Sequence, residues 1–140
     1  FMSTGDDITV VSYGSTLRIV QSASKKLLNE GISVELIDVQ SLIPFDLHKE
    51  ISKSIAKTNR ILIVDEDVPG GASSYILQQL VENQKIFNFL DSPPKLLSAK
   101  SHRPAYGSDG DYFSKPSEDD VFEAIYEIMN ETNPNDYPIL

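Results

Sequence analysis

The sequence predicts an α/β fold: a three-layer α/β/α domain on a mostly parallel sheet of about four strands, with helices on both faces. Three observations carry that expectation. Short apolar runs rich in β-branched residues occur four times, each with a helical pattern between it and the next. The runs are apolar almost throughout, as strands buried on both faces are. The turns joining them are short, which suits crossover connections within one sheet. A chain of 140 residues is the size of one domain, and at that length folding hides about 68% of the unfolded surface, enough for a core without staples. Cysteine is absent, which excludes disulfides, thiolate metal sites and cysteine nucleophiles together.

Each element has its own reason. Ile8-Thr9-Val10-Val11-Ser12-Tyr13 is a β-branched run stopped by Gly14. Ser15 is placed to cap the helix that follows, whose Leu17, Val20, Ala23, Leu27 and Leu28 are expected on one face. Gly31 is placed to end that helix in the left-handed conformation. Val34 to Val39 is the second strand; Leu42-Ile43-Pro44-Phe45 turns, and Asp46 caps a helix bearing Leu47, Ile51, Ile55 and Ala56. Arg60 to Asp65 is the third strand and the most continuous apolar run. Glu66 to Gly71 makes the third turn, before a helix with Ile76, Leu77, Leu80 and Val81 inward. Lys95 to Ala99, introduced by Pro93-Pro94, is a weaker fourth strand.

Residues 100–116 contain Pro104, Gly107, Gly110 and Pro116 and read as a long loop. Ser117-Glu118-Asp119-Asp120 is a capping signal for a last helix with Val121, Ala124, Ile125, Ile128 and Met129 on its buried stripe. The expected organisation is a cloning remnant or linker at 1–5, because Phe1 precedes Met2, a domain over 6–132, and an open tail at 133–140.

The formal net charge is −9 and lies unevenly. Residues 1–108 hold 11 Lys and Arg against 12 Asp and Glu; residues 109–140 hold Lys115 alone against nine acids. Such a balance disfavours nucleic acid as a partner. The acidic segment reads either as a solvated face or as a docking surface for a basic partner. With no apolar run of the ~18–20 residues that span a bilayer and no secretion signal, a cytoplasmic location without membrane contact is expected.

In parallel sheets ligands collect at the carboxyl ends of strands. Here the first turn, Tyr13-Gly14-Ser15-Thr16, lacks both the three-glycine dinucleotide fingerprint and a phosphate loop. Asp65-Glu66-Asp67 before Gly70-Gly71 would repel a phosphate unless a divalent metal intervened, so structural or interface use is the expectation. Ser101-His102-Arg103-Pro104 offers an imidazole beside a guanidinium, but no second histidine is near in sequence and no Gly-x-Ser-x-Gly occurs. No complete active site emerges from these residues.

Four segments in order carry a resemblance. Asp6 to Ser15 (DDITVVSYGS), Ile37 to Asp46 (IDVQSLIPFD), Lys57 to Glu66 (KTNRILIVDE) and Phe89-Leu90-Asp91-Ser92-Pro93-Pro94, followed by Pro104-Ala105-Tyr106, together resemble the transketolase C-terminal domain. The likeness is to the form found in beta subunits of thiamine-dependent 2-oxoacid dehydrogenases of the pyruvate and branched-chain type, over about residues 6–130. It implies four parallel strands plus an antiparallel edge strand from sequence preceding Asp6.

The resemblance also implies that thiamine diphosphate and magnesium are bound by the other two domains of the parent enzyme, with its catalytic glutamate and histidine upstream. No catalytic, cofactor-binding or metal residue is therefore expected here, and the isolated domain is expected to be inactive. The implied parent decarboxylates a 2-oxoacid and transfers the acyl group to lipoyl-lysine. This domain would build subunit contacts in a homodimer or heterotetramer and dock the subunit-binding domain of the lipoyl acyltransferase. We place the subunit contact at Pro69, Gly70, Gly71, Tyr75 and Ile76, with Tyr75 and Ile76 as its apolar centre. Partner docking falls to Glu118, Asp119, Glu123 and Glu127, and loop contacts toward the active-site side to Asp65, Glu66, His102 and Arg103.

Two departures from the family pattern stand out. The turn after the third strand is shorter and carries Asp65-Glu66, and Ser101 to Lys115 is unlike the common beta-subunit pattern. The second departure leaves the 2-oxoacid open and fits a variant with fused alpha and beta parts. The alternatives are the C-terminal domain of a transketolase or deoxyxylulose-phosphate synthase, and a stand-alone binding module with no enzyme attached.

Overall fold

The computed structural model describes residues 4–14, 16–39, 50–65, 72–82, 84–98, 100–102, 112–114 and 116–138. Strands β1 (Ile8–Ser12), β2 (Val34–Asp38), β3 (Ile61–Val64) and β4 (Lys95–Leu97) form one parallel sheet in the order β2-β1-β3-β4. Val10 sits opposite Leu36 on one side and Leu62 on the other, and Ile63 opposite Leu96. Burial on both faces explains the apolar runs: all five residues of β1 and all four of β3 are buried.

The pleat sends alternate residues to two separate cores. Ile8, Val10, Leu36, Leu62 and Val64 pack against helices α1 (Thr16–Asn29) and α4 (Glu118–Thr132). Val11, Ile37, Ile61 and Ile63 pack against α2 (Glu50–Thr58) and α3 (Ala72–Glu82), together with the short 3₁₀ turn Ile86–Asn88. The result is the three-layer α/β/α arrangement that the sequence predicts.

Two helix ends form as their residues require. Gly31 takes φ +78°, its N–H reaches the Leu28 carbonyl at 3.0 Å, and the Ile32 N–H reaches the Leu27 carbonyl at 3.0 Å. This is the Schellman pairing that a left-handed residue permits, sealed by the burial of Ile32. At the start of α4 the Ser117 Oγ accepts the Asp120 N–H at 3.1 Å, and the Asp120 carboxylate accepts the Ser117 N–H at 2.9 Å. The capping box expected from Ser117 to Asp120 is thus closed on both sides. The caps expected at Ser15 and Asp46 lie outside the described residues.

The structure departs from the sequence reading in three places. Leu28 is 65% exposed, because it lies one residue, about 100° of rotation, past Leu27 and off the buried stripe; Ala56, next to the buried Ile55, is exposed for the same reason. Within the stretch read as a loop, β5 (Lys100–His102) pairs antiparallel with β6 (Tyr112–Ser114). Three-residue strands are too short to register as periodicity. Over its described residues, 133–138, the tail is not open: Tyr137 packs edge-on to Tyr126, whose hydroxyl donates to the Pro138 carbonyl at 2.8 Å, and Asn130 donates to the Tyr137 carbonyl at 2.7 Å. Gly5, in the stretch read as a remnant or linker, is buried against β2, which that reading does not exclude.

Candidate functional site

The strand order reverses between β1 and β3, so the carboxyl edge there is the place where an open α/β sheet presents a crevice. Among the described residues, three buried polar side chains stand there. Ser12, Thr16 and Asp65 are all fully buried. The Ser12 and Thr16 hydroxyls meet at 2.6 Å, so one donates to the other, and the Val64 carbonyl, 2.9 Å from Ser12, and the Tyr13 carbonyl, 2.7 Å from Thr16, compete for the remaining proton. Two protons thus serve three contacts. The Tyr13 hydroxyl donates to the Asp65 carboxylate, and the Asp65 N–H reaches the Leu97 carbonyl at 2.8 Å. These groups do not fit a metal-bound diphosphate: the hydroxyls are spent on one another and on backbone, and the enclosed carboxylate is engaged by a phenol. Asp65 therefore ties β1, β3 and β4 together. Glu66 and Arg103 lie outside the described residues, and His102 is described only through its backbone pairing with Tyr112.

A second polar cluster, at the amino edge, was not singled out by the sequence reading. Glu35 is the second residue of β2, between Val34 and Leu36, and its side chain is 3% exposed. The Ser54 hydroxyl donates to its carboxylate, the Lys57 ammonium stands 2.5 Å away, and the Gly5 N–H approaches at 3.4 Å. A carboxylate only accepts, so it fixes the direction of the first links of the buried hydroxyl chain: Ser54 donates to Glu35 and Thr9 to Ser54 at 2.6 Å, while the single Thr58 proton is shared between Thr9 at 2.7 Å and the Arg60 carbonyl at 3.1 Å. Burial pushes the Glu35 carboxyl up. Hydrogen bonds from Lys57, Ser54 and Gly5, with the Lys57 charge, outweigh that and hold it below its usual 4.5. The signal that could have found it was an acid flanked by Val34 and Leu36 in a strand buried on both faces, which stands only if paired.

The expected contact surfaces sort differently. Ile76 is fully buried in the core with Leu80 and Ile63, so it is not available as the apolar centre of a subunit contact; one face of α3 must fill its own sheet. Tyr75 is half-buried. Pro69, Gly70 and Gly71 lie outside the described residues. On α4, Asp119, Glu123 and Glu127 are exposed one turn apart. Two of the four acids placed there as docking residues already face lysines of this chain: Glu118 is 3.3 Å from Lys26, and Glu127 is 3.0 Å from Lys95. Lys95 also reaches Glu131 at 3.2 Å. Burial lowers the Lys95 pKa, but the hydrogen bonds and charges of Glu127 and Glu131 prevail and raise it.

Among the described residues no helix is long and apolar enough to cross a membrane. The family model described as "Transketolase, C-terminal domain" matches residues 1–114. The pyruvate dehydrogenase E1 component subunit beta of Mesostigma viride is 35% identical over 125 residues, 89% of this chain and 38% of that protein. The protein of the same name from Chlorokybus atmophyticus is 43% identical over 95 residues, 68% of this chain and 28% of that protein. The chain thus spans less than two fifths of the length of these relatives. A solved structure described as a split gene transketolase, inactive beta4 tetramer, superposes with a TM-score of 0.66 at 23% identity, covering 92% of this chain and 40% of that one. The parallel β2-β1-β3-β4 sheet, its two helical layers and the family match over most of the length lead to one assignment: this chain belongs to the transketolase C-terminal domain family.

Proposed function

We propose that this chain is the C-terminal structural, dimerisation and acyltransferase-docking domain of a thiamine diphosphate-dependent 2-oxoacid dehydrogenase. The observation that carries this reading is the likeness to pyruvate dehydrogenase E1 beta subunits over 89% of the chain. The parent enzyme decarboxylates a 2-oxoacid and passes the acyl group to lipoamide, and thiamine diphosphate and magnesium act in its other domains. The cofactor supplies the carbanion chemistry, and protein supplies placement and water exclusion. For subunit contact the half-buried Tyr75 on α3 is the apolar residue we assign, with Pro69, Gly70 and Gly71, which precede the helix in sequence.

For docking, the charges that stay available to a Lys- and Arg-rich partner centre on Asp119 and Glu123, since Lys26 and Lys95 face Glu118 and Glu127. Rim charges of this kind speed encounter, while a few buried contacts set affinity. The test is association of the acyltransferase's subunit-binding domain with the assembled enzyme, followed by surface plasmon resonance. Association should be faster at 0.1 M than at 1 M salt, where the Debye length has fallen from ~10 to ~3 Å. Calorimetry of the isolated chain with thiamine diphosphate and magnesium should show no heat. Micromolar cofactor binding, or no binding of the acyltransferase domain at any salt, would overturn the assignment.

A further inference from the structure

Residues 4–7 reach β1 by crossing the start of β2, and they are held there more firmly than a connecting segment needs. The clamp has two parts. Asp7 and Ser33 are joined reciprocally: the Asp7 carboxylate accepts the Ser33 N–H at 2.7 Å and the Ser33 hydroxyl at 3.1 Å, and the Asp7 N–H donates to the Ser33 carbonyl at 3.1 Å. The Asp6 N–H adds a bond to the same serine hydroxyl at 2.9 Å. Gly5 lies flat on β2. A β-carbon there would stand 2.5 Å from the Val34 carbonyl carbon, 2.7 Å from its oxygen and 2.8 Å from the Glu35 nitrogen. All three are backbone atoms of a sheet strand and cannot swing aside. From the far side Glu35 reaches the Gly5 N–H, and the same carboxylate is held by Ser54 and Lys57 of α2.

We propose that residues 4–7 are a latched strap: Ser33 and Glu35 fasten the incoming chain to the edge of the sheet, so that it moves with the domain as one body and not as a hinge. Glu35 makes the latch sensitive to α2, because one buried carboxylate joins the strap, the helix and, through Ser54 and Thr9, the central strand. Coupling of this kind needs a physical element that both sides bias, and here it is the position of that carboxylate. In one respect the proposal rests on the function proposed above: in an enzyme whose cofactor-binding part lies upstream, the strap is the joint that sets the domain's orientation.

Hydrogen exchange on the 140-residue chain tests the strap without reference to that enzyme, so failure of one reading is separable from failure of the other. In the unaltered chain the Asp6 and Asp7 amides should exchange at least about tenfold more slowly than in an unstructured peptide. Gly5→Ala and, independently, Asp7→Ala should each speed those two amides by about tenfold or more while Val10 and Leu62, deep in the sheet, keep their protection. Lys57→Met should speed exchange at Gly5 more than at Asp7, since it touches only the Glu35 side of the latch. Thr4→Ala, at an exposed position, should change none of them. Unprotected Asp6 and Asp7 amides in the unaltered chain would overturn the proposal. So would Gly5→Ala and Asp7→Ala variants in which the strap amides accelerate no more than the Val10 and Leu62 amides, because the segment would then be ordinary core and not a latch.

Discussion

Replacing Lys57 by Met removes the ammonium that stands 2.5 Å from the nearly enclosed Glu35 carboxylate, while keeping most of the aliphatic stem. Two limits bracket the cost. Breaking a fully buried ion pair costs about 3–5 kcal/mol, and losing a surface pair about 0–1 kcal/mol. Glu35 is 3% exposed but Lys57 is 45% exposed, so solvent screens one partner, and Ser54 and Gly5 continue to serve the carboxylate. We expect a loss of about 1–2 kcal/mol at pH 7, near the lower part of that range, equivalent to roughly 3–8 °C in Tm for a domain of this size.

The pH dependence identifies the cause. In the unaltered chain the folded Glu35 pKa lies below 4.5, so its contribution to stability is fully present above 4.5 and is lost as pH falls through the folded value. Without Lys57, burial is opposed by fewer partners and the folded pKa rises. The stability gap between the two proteins should therefore be widest near neutrality and narrow as pH falls through the folded Glu35 value of the unaltered chain. Urea unfolding followed by far-ultraviolet circular dichroism at several pH values gives the curve. A gap below about 0.3 kcal/mol at pH 7, within the scatter of ordinary surface substitutions, or a gap constant with pH, would refute the reasoning.

Ser117→Ala should cost about 1 kcal/mol by opening the capping box of α4, and Ser117→Gly only a few tenths, as read by denaturant unfolding. Leu62→Ala empties a fully buried position on the central part of the sheet and should cost about 2–5 kcal/mol in the same assay. Reversing Asp119 and Glu123 to Lys should slow association with the acyltransferase's subunit-binding domain more than it speeds dissociation, and should weaken the salt dependence; rates indifferent to both would return the acidic face to a solvated surface. Tyr75→Asp should shift sedimentation of the assembled parent enzyme toward smaller species, and identical sedimentation at high concentration would count against placing the subunit contact on α3.

What the sequence determined by itself is what neighbouring residues decide. The β-branched run Ile8 to Ser12 has no better use than a strand buried on both faces, and Gly31 supplies the left-handed residue that ends α1. Ser117 and Asp120 close their box across three residues. Such features depend on backbone propensity and on groups one turn apart, so they are legible before the fold is known. The family resemblance was legible in the same way, as ordered local motifs.

What only the tertiary structure decided depends on groups far apart in the chain. Glu35 reads as a stray acid until β2 is laid beside β1 and α2 brings Ser54 and Lys57 to it, 19 and 22 residues on. Asp65 reads as part of an acidic turn until Tyr13, 52 residues earlier, is set beside it at the switch of strand order. The acidic face of α4 reads as uniform until Lys26 and Lys95 arrive from α1 and β4 and pair with two of its members. Ile76 reads as available to a second subunit until α3 is laid on the sheet and its inner face is consumed. In each case the deciding quantity is burial or the distance between charges. Both are set by the packing of whole elements, which no local run of residues encodes.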